Sequence, residues 1–96
     1  MLSQIPLNVE KVKKEDLEKE ILRAALIAEL DAINLYEQLA AMTQKEDIRN
    51  ILLDVAKEEK THVGEFQTLL LRLDKEQVSE LEEGRKEVEE ITKKKE

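Results

Sequence analysis

Hydrophobic residues recur at steps of three and four along two long stretches of the chain, a pattern typical of helices with one buried face. The first stretch reads Leu22, Ala25, Glu29, Ala32, Tyr36, Leu39. The second reads Ile48, Leu52, Val55, Glu59, His62, Phe66, Leu69, Leu73. These two stripes predict an all-α fold built on two long amphipathic helices.

Local signals between the stripes predict where the helices begin and end. Thr43 followed three residues later by Glu46 is a capping-box pattern, which marks a helix start. Asp74 and Gln77 repeat the pattern in weaker form ahead of a third segment. The predicted segments of this single domain are an irregular tail at 1–8, helix one at about 9–42 with its start between Val9 and Asp16, helix two at about 45–73, a C-terminal helix at about 75–92, and a tail or linker at 93–96. So short a link between the first two helices forces them to run antiparallel.

The hydrophobic surface of this hairpin exceeds what one chain can cover. The stretch Ala24–Ala28 is apolar on nearly every side, which is more than a single partner helix can bury. Two helices with one satellite also bury too little apolar area to offset chain entropy comfortably. The C-terminal helix has only a thin apolar stripe, interrupted by Gly84, and is interpreted as a docking helix or an extension toward a neighbour. We therefore predict that two hairpins dimerise into a four-helix bundle, which can build a larger ring.

Composition excludes several classes of function. With 96 residues the chain makes one small domain, and its net charge of −7 argues against binding nucleic acid, which needs a basic face. The absence of cysteine excludes thiolate metal sites and thiol catalysis. No apolar run approaches the roughly 20 residues of a membrane helix, and the N-terminus has no signal-peptide pattern. We expect a soluble, cytoplasmic protein that binds neither nucleic acid nor membrane.

Three polar residues interrupt the two apolar stripes. Glu29 lies on helix one, and Glu59 and His62 lie three residues apart on helix two, so that their side chains project the same way. All three lie almost equally far along the chain from the centre of the turn and therefore meet at one level of an antiparallel hairpin. A buried carboxylate is costly unless it is paired or binds a metal. This arrangement predicts a metal site.

The Glu59-x-x-His62 spacing alone is a weak signal, since 18 of the 96 residues are glutamate. A single histidine on an apolar face is also more often a satisfied core residue than a ligand. The shared face and the matched level of Glu29 favour the metal interpretation. The alternative without metal is a helical assembly module in which Glu59 and His62 only set the register between helices.

The ligand types narrow the choice of metal. Two carboxylates and one imidazole suit iron, manganese or zinc, and hard oxygen ligands with open positions favour iron. One hairpin supplies half of a two-metal site, whereas two hairpins related by a dyad supply four carboxylates and two histidines. That set is the one found in ferritin-like di-iron bundles. We predict iron, with zinc, manganese or calcium as substitutes.

The segments Ala28–Tyr36 and Glu58–His62 resemble the encapsulated ferritins, a branch of the ferritin-like superfamily. In some members of this family, the similar domain is fused to an encapsulin shell protein. The similarity covers about residues 15–73. It implies a ferroxidase that oxidises Fe(II) to Fe(III) with dioxygen or peroxide at a di-iron centre, with two irons per dimer, across the subunit interface. It further implies a homodimer within a decameric ring that feeds iron storage inside a cytoplasmic encapsulin nanocompartment.

The same resemblance assigns roles to individual residues. Glu29, Glu59 and His62 are similar to the iron ligands of the family, and Tyr36 to its tyrosine beside the ligands, although ordinary core packing explains Tyr36 equally well. Members also have an acidic iron-access site of two glutamates near a tryptophan. Only Asp31 keeps an acid there, because Ala28 and Leu35 occupy the other two places. For Asp31 we favour a solvated surface acid over a role in iron access.

The same metal centre also suits a peroxide-reducing, rubrerythrin-like di-iron protein. In that case the electrons must come from another protein, because a chain without cysteine cannot contain a rubredoxin module. Turnover of peroxide with a redox partner separates this alternative from a ferroxidase.

Overall fold

The structure, a computed structural model, describes residue 10 and residues 12–93. In this described part, three α-helices follow a short 3-10 turn at Lys14–Asp16: α1 at Leu17–Met42, α2 at Glu46–Leu73 and α3 at Lys75–Thr92. The described part of the chain contains no strand. The all-α fold predicted from the two stripes is confirmed.

The first helix begins later than the sequence indicated. Lys13 has an extended backbone and the 3-10 turn precedes Leu17, whereas we expected the start between Val9 and Asp16. A helix becomes stable mainly where a tertiary contact supports it, and the charged run before Leu17 offers few apolar side chains for such a contact. The predicted tail at 1–8, including Pro6, and residues 94–96 lie outside the described residues.

The turn between α1 and α2 falls where the capping pattern indicated, but the capping box itself does not form. Lys45 occupies the N-cap position and makes no side-chain capping bond. The hydroxyl of Thr43 instead accepts the N–H of Lys45 at 3.2 Å. Arg49 ties the turn to the end of α1, because its guanidinium donates to the carbonyl oxygens of Thr43 at 2.6 Å and Ala40 at 3.4 Å and to the Glu46 carboxylate at 2.8 Å.

We expect Arg49→Met to lower the free energy of unfolding by about 1.5–3 kcal/mol, the range for hydrogen bonds that involve a charged group. The substitution leaves carbonyl oxygens at the C-terminus of α1 without their donor. Arg85→Met is the matched control, since Arg85 contacts only Glu82 and Glu89 on the exposed face of α3 and such surface pairs contribute little. Urea titration of both variants measures the difference, and equal midpoints would contradict the structural role of Arg49.

The hairpin formed by α1 and α2 has almost no interior of its own. Among the described residues only Ala40, Ala56 and Leu70 are buried apolar side chains. Many large apolar side chains stay exposed, including Leu30 at 54% and Ile51 at 65%. The radius of gyration is 17.1 Å, against about 13 Å for a compact chain of 100 residues. The apolar surface predicted to exceed the capacity of one chain is therefore present.

The third helix does not pack along its own hairpin. It makes few contacts with α2, and every residue from Val78 to Lys93 is exposed. The apolar residues of its thin stripe share this exposure: Val78, Leu81, Val88 and Ile91. The described helices contain no segment long and apolar enough to cross a membrane.

Candidate metal centre

The structure brings Glu29, Glu59 and His62 together in the middle of the hairpin. Glu29 lies near the centre of α1, and Glu59 and His62 lie on the turn of α2 that faces it. The helical rise places residues three apart on one face of α2, which is why both side chains point toward the same place. One ligand-type atom from each residue lies within 4.8 Å of the other two.

Two carboxylate oxygens converge on one imidazole nitrogen. The Nδ1 atom of His62 lies 3.4 Å from Oε2 of Glu29 and 3.4 Å from Oε2 of Glu59. Both distances exceed the roughly 2.7–3.2 Å of a good N–H···O hydrogen bond. Two ligand atoms bound to one ion at ~2.1 Å each lie about 3–3.5 Å apart. The spacing is therefore closer to that of atoms sharing a cation than to that of hydrogen-bonded partners.

Burial differs among the three side chains. The exposed fractions are 17% for Glu29, 19% for Glu59 and 43% for His62. The Oε2 atom of Glu29 is fully buried and has no hydrogen-bond partner in the described part of the chain. A buried oxygen without a partner costs about 1–3 kcal/mol, and it is the kind of acceptor that a cation satisfies. The donor set and this unpartnered oxygen both fit a bound iron ion.

The other residues singled out in the sequence lie on α1, within seven positions of Glu29. Tyr36 is half-buried one stripe step from Ala32, and Asp31 is half-buried and has an interaction partner. Ala28 and Leu35 are likewise half-buried.

One salt bridge between α1 and α2 was not predicted from the sequence. The ammonium of Lys60 pairs with Oε2 of Glu37 at 3.0 Å and so links α2 to α1. Lys60 lies between Glu59 and His62 in the sequence, but both members of the pair lie off the apolar stripes. In a chain that is 41% charged, no sequence signal distinguishes this pair from the other surface charges.

Comparisons with known proteins agree with this geometry. The family model described as Rubrerythrin matches residues 20–96. A ferritin-like–encapsulin shell fusion protein of Pyrococcus furiosus is 60% identical over 95 residues, which are 96% of this chain and 27% of that protein. The encapsulin nanocompartment cargo protein EncC of Myxococcus xanthus is 43% identical over 63 residues, 66% of this chain and 48% of that protein. The crystal structure of the encapsulated ferritin domain from Pyrococcus furiosus is 57% identical, with a TM-score of 0.82 and 96% of each chain covered.

A helical hairpin whose facing helices supply Glu and Glu-x-x-His side chains defines the class of ferritin-like carboxylate metalloproteins. The chain belongs to the rubrerythrin family of ferritin-like proteins and, within it, to the encapsulated ferritins. Proteins of this family typically bind iron and carry out oxidoreductase chemistry. The chain spans about a quarter and about half of the length of the two curated relatives.

Proposed function

We propose that the protein is a ferroxidase that oxidises Fe(II) to Fe(III) at a di-iron centre shared by two copies of the chain. The observation that carries the proposal is the convergence of Glu29, Glu59 and His62, with a buried oxygen of Glu29 that makes no hydrogen bond in the described part of the chain. These three residues are the iron ligands in this proposal. Each copy supplies half of the ligand set found in ferritin-like di-iron bundles.

The exposed surface of the hairpin supports the pairing of two copies. A chain with three buried apolar side chains in its described part cannot offset the entropy of folding without covering its remaining apolar surface. His62 is 43% exposed, so that a second copy can approach the ligand cluster from the side of the imidazole. We propose a homodimer with the iron ions at its interface, within a larger ring such as the decamer that the family resemblance implies.

The chain's own side chains bind the substrate iron and hold it in place for oxidation. The carboxylates of Glu29 and Glu59 offset the charge of the incoming cations, and His62 adds one nitrogen ligand per chain. Tyr36 lies half-buried in the neighbouring part of α1 and closes that side of the cluster in this proposal. Two Fe(II) ions give one electron each to dioxygen, which takes up two protons and leaves as hydrogen peroxide. Where peroxide is the oxidant, two Fe(II) ions give it one electron each, and with two protons it leaves as two water molecules.

The names of the relatives support an encapsulin shell as the partner. One is a fusion of a ferritin-like domain with an encapsulin shell, and another is an encapsulin cargo protein. We propose that this domain works in the cytoplasm inside an encapsulin nanocompartment, where Fe(III) passes to a mineral store.

The test is the oxidation of Fe(II) by purified protein, followed by the absorbance of Fe(III) and by an oxygen electrode. We expect oxidation well above the rate of the buffer and a break in the titration at two irons per dimer. An anomalous-scattering map at the iron edge should place both ions beside Glu29, on or about the dyad. A rate equal to that of the buffer, or iron bound away from the three residues, would overturn the assignment.

A second function is favoured by the match to the rubrerythrin family model. A rubrerythrin-like protein uses the same ligands to reduce peroxide with electrons from a separate redox protein. Stopped-flow measurements with the iron-loaded protein distinguish the two. Sustained peroxide turnover with a reductant protein, together with slow oxidation by dioxygen, supports the peroxide-reducing function. Fast iron oxidation without a reductant supports the ferroxidase.

A further inference from the structure

Asp74 is the one charged residue that is buried in the described part of the chain, at 8% exposure. It occupies the single position between Leu73, the last residue of α2, and Lys75, the first residue of α3. Carboxylates are rarely buried unless they are paired, because removing them from water is costly. The position therefore calls for a structural explanation.

Four hydrogen bonds from this one residue join all three helices. Its Oδ1 atom accepts the backbone N–H of Gln77 at 3.0 Å, which caps the start of α3. Its Oδ2 atom accepts from Nη2 of Arg23 on α1 at 2.9 Å. Its own N–H donates to the carbonyl of Leu70 at 2.9 Å, and its carbonyl accepts from Val78 at 3.3 Å. The backbone bonds connect α2 to α3, and of these four bonds the one from Arg23 to the carboxylate is the bond that reaches α1.

The charges around this carboxylate favour its ionised form. The N–H of Gln77, the hydrogen bond from Arg23 and the charge of Lys19 hold the pKa of Asp74 below its usual range, against the opposing effect of burial. The partial positive charge at the start of α3 acts in the same direction. The carboxylate is therefore a charged link between the α3 terminus and the α1 guanidinium.

Among the described residues of one chain, little else restrains the direction of α3. Its side chains beyond Gln77 are exposed, and it makes few contacts with α2. The link between Asp74 and Arg23 spans 51 positions in the sequence. With a junction of one residue, the direction of α3 relative to α2 depends mainly on the two backbone dihedrals of that residue. One side-chain bond to a third helix is therefore sufficient to select one orientation.

We propose that Asp74 and Arg23 form a clamp that fixes the direction in which α3 leaves the hairpin. The clamp does not depend on the proposed ferroxidase function, because neither residue lies in the metal cluster. Its consequence is that the exposed apolar side chains of α3, from Val78 to Ile91, are presented in a single direction relative to the hairpin. An unclamped α3 would sample several directions about the junction.

The test is a pulsed electron-paramagnetic-resonance measurement of the distance between α2 and α3. The chain has no cysteine, so Asn50→Cys and Glu87→Cys introduce two spin labels at exposed positions of α2 and α3 without competing thiols. Diluting labelled chains in an excess of unlabelled protein isolates the distance within one chain. We expect a single narrow distribution for the wild type.

The substitutions separate the cap from the clamp. Asp74→Asn keeps an acceptor for the Gln77 N–H but removes the charge that binds Arg23, and Arg23→Met removes the guanidinium while leaving the cap intact. We expect either change to broaden the distance distribution about twofold or more by releasing the ordering contact. Arg23→Lys, which keeps a cation, should stay close to the wild-type width, as should the surface control Arg85→Met.

Helicity measured by far-ultraviolet circular dichroism shows whether α3 stays folded in each variant. A broad distribution with unchanged helicity supports the clamp, because the helix is then intact and only its direction is free. Wild-type widths in both Asp74→Asn and Arg23→Met would overturn it. So would equal broadening in Arg85→Met, which would show that any loss of charge on these helices has the same effect.

Discussion

Replacing His62 by alanine, or Glu29 or Glu59 by glutamine, is expected to slow Fe(II) oxidation by more than the ~10–100-fold that the loss of an outer partner of a metal ligand costs. His62→Ala removes one of the three atoms that converge within 4.8 Å, and each glutamine replaces a charged carboxylate of the cluster by a neutral amide. The two glutamine variants keep the size of the side chain and lose its charge, so that the cluster no longer offsets the charge of the incoming iron. Initial rates at saturating and limiting Fe(II) separate weaker binding from slower oxidation.

The matched control for this series is Glu65→Gln on the same helix. Glu65 is exposed and lies outside the three-residue cluster, so we expect its rate to stay within about twofold of the wild type, as for an ordinary surface change. Circular dichroism and gel filtration of the metal-free proteins show whether each variant still folds and assembles. Wild-type rates in His62→Ala and Glu29→Gln, with the fold intact, would show that the cluster takes no part in the reaction.

The spacing of the apolar residues predicted the two long helices, because each helix buries one face along its length. Glu29 and the Glu59–His62 pair meet because the helix repeat and the antiparallel turn together determine their level, and both features are present in the sequence. The metal-binding role of these residues stays a prediction. The start of α1 at Leu17 was missed because helix ends depend on single contacts, which periodicity does not encode.

The direction of α3 could not be predicted, because it depends on one residue and one distant contact. Asp74 and Gln77 were identified as a weak cap, and the bond from the Gln77 N–H to the Asp74 carboxylate is present. Arg23 carried no sequence signal that linked it to Asp74. The lack of a hydrogen bond to Oε2 of Glu29 among the described residues could not be predicted either, because it depends on how neighbouring side chains orient around the carboxylate.

Replacing Glu29 by methionine is expected to change the stability of the folded protein, in opposite directions without and with bound iron. Without metal, we expect Glu29→Met to raise the free energy of unfolding by about 1–2 kcal/mol, since a buried polar atom without a partner costs about 1–3 kcal/mol. Methionine has high helix propensity, and its thioether adapts to the shape of the site. The metal-free wild type is thus expected to be less stable than the variant with an apolar side chain at this position, since functional sites often lower the stability of a protein.

With Fe(II) added under anaerobic conditions, the order should invert. A ligand present at 100 times its dissociation constant stabilises the folded state by ~2.7 kcal/mol. The wild type gains this stabilisation, whereas Glu29→Met lacks a ligand and gains little. Thermal unfolding of both proteins at one fixed protein concentration, with chelator and with Fe(II), gives the four midpoints required. Glu65→Met, an exposed control, should track the wild type in both conditions. Lower stability of Glu29→Met than of the wild type in chelator would mean that the buried oxygen stabilises the folded chain by itself. The interpretation of Glu29 as a residue retained for metal binding would then be wrong.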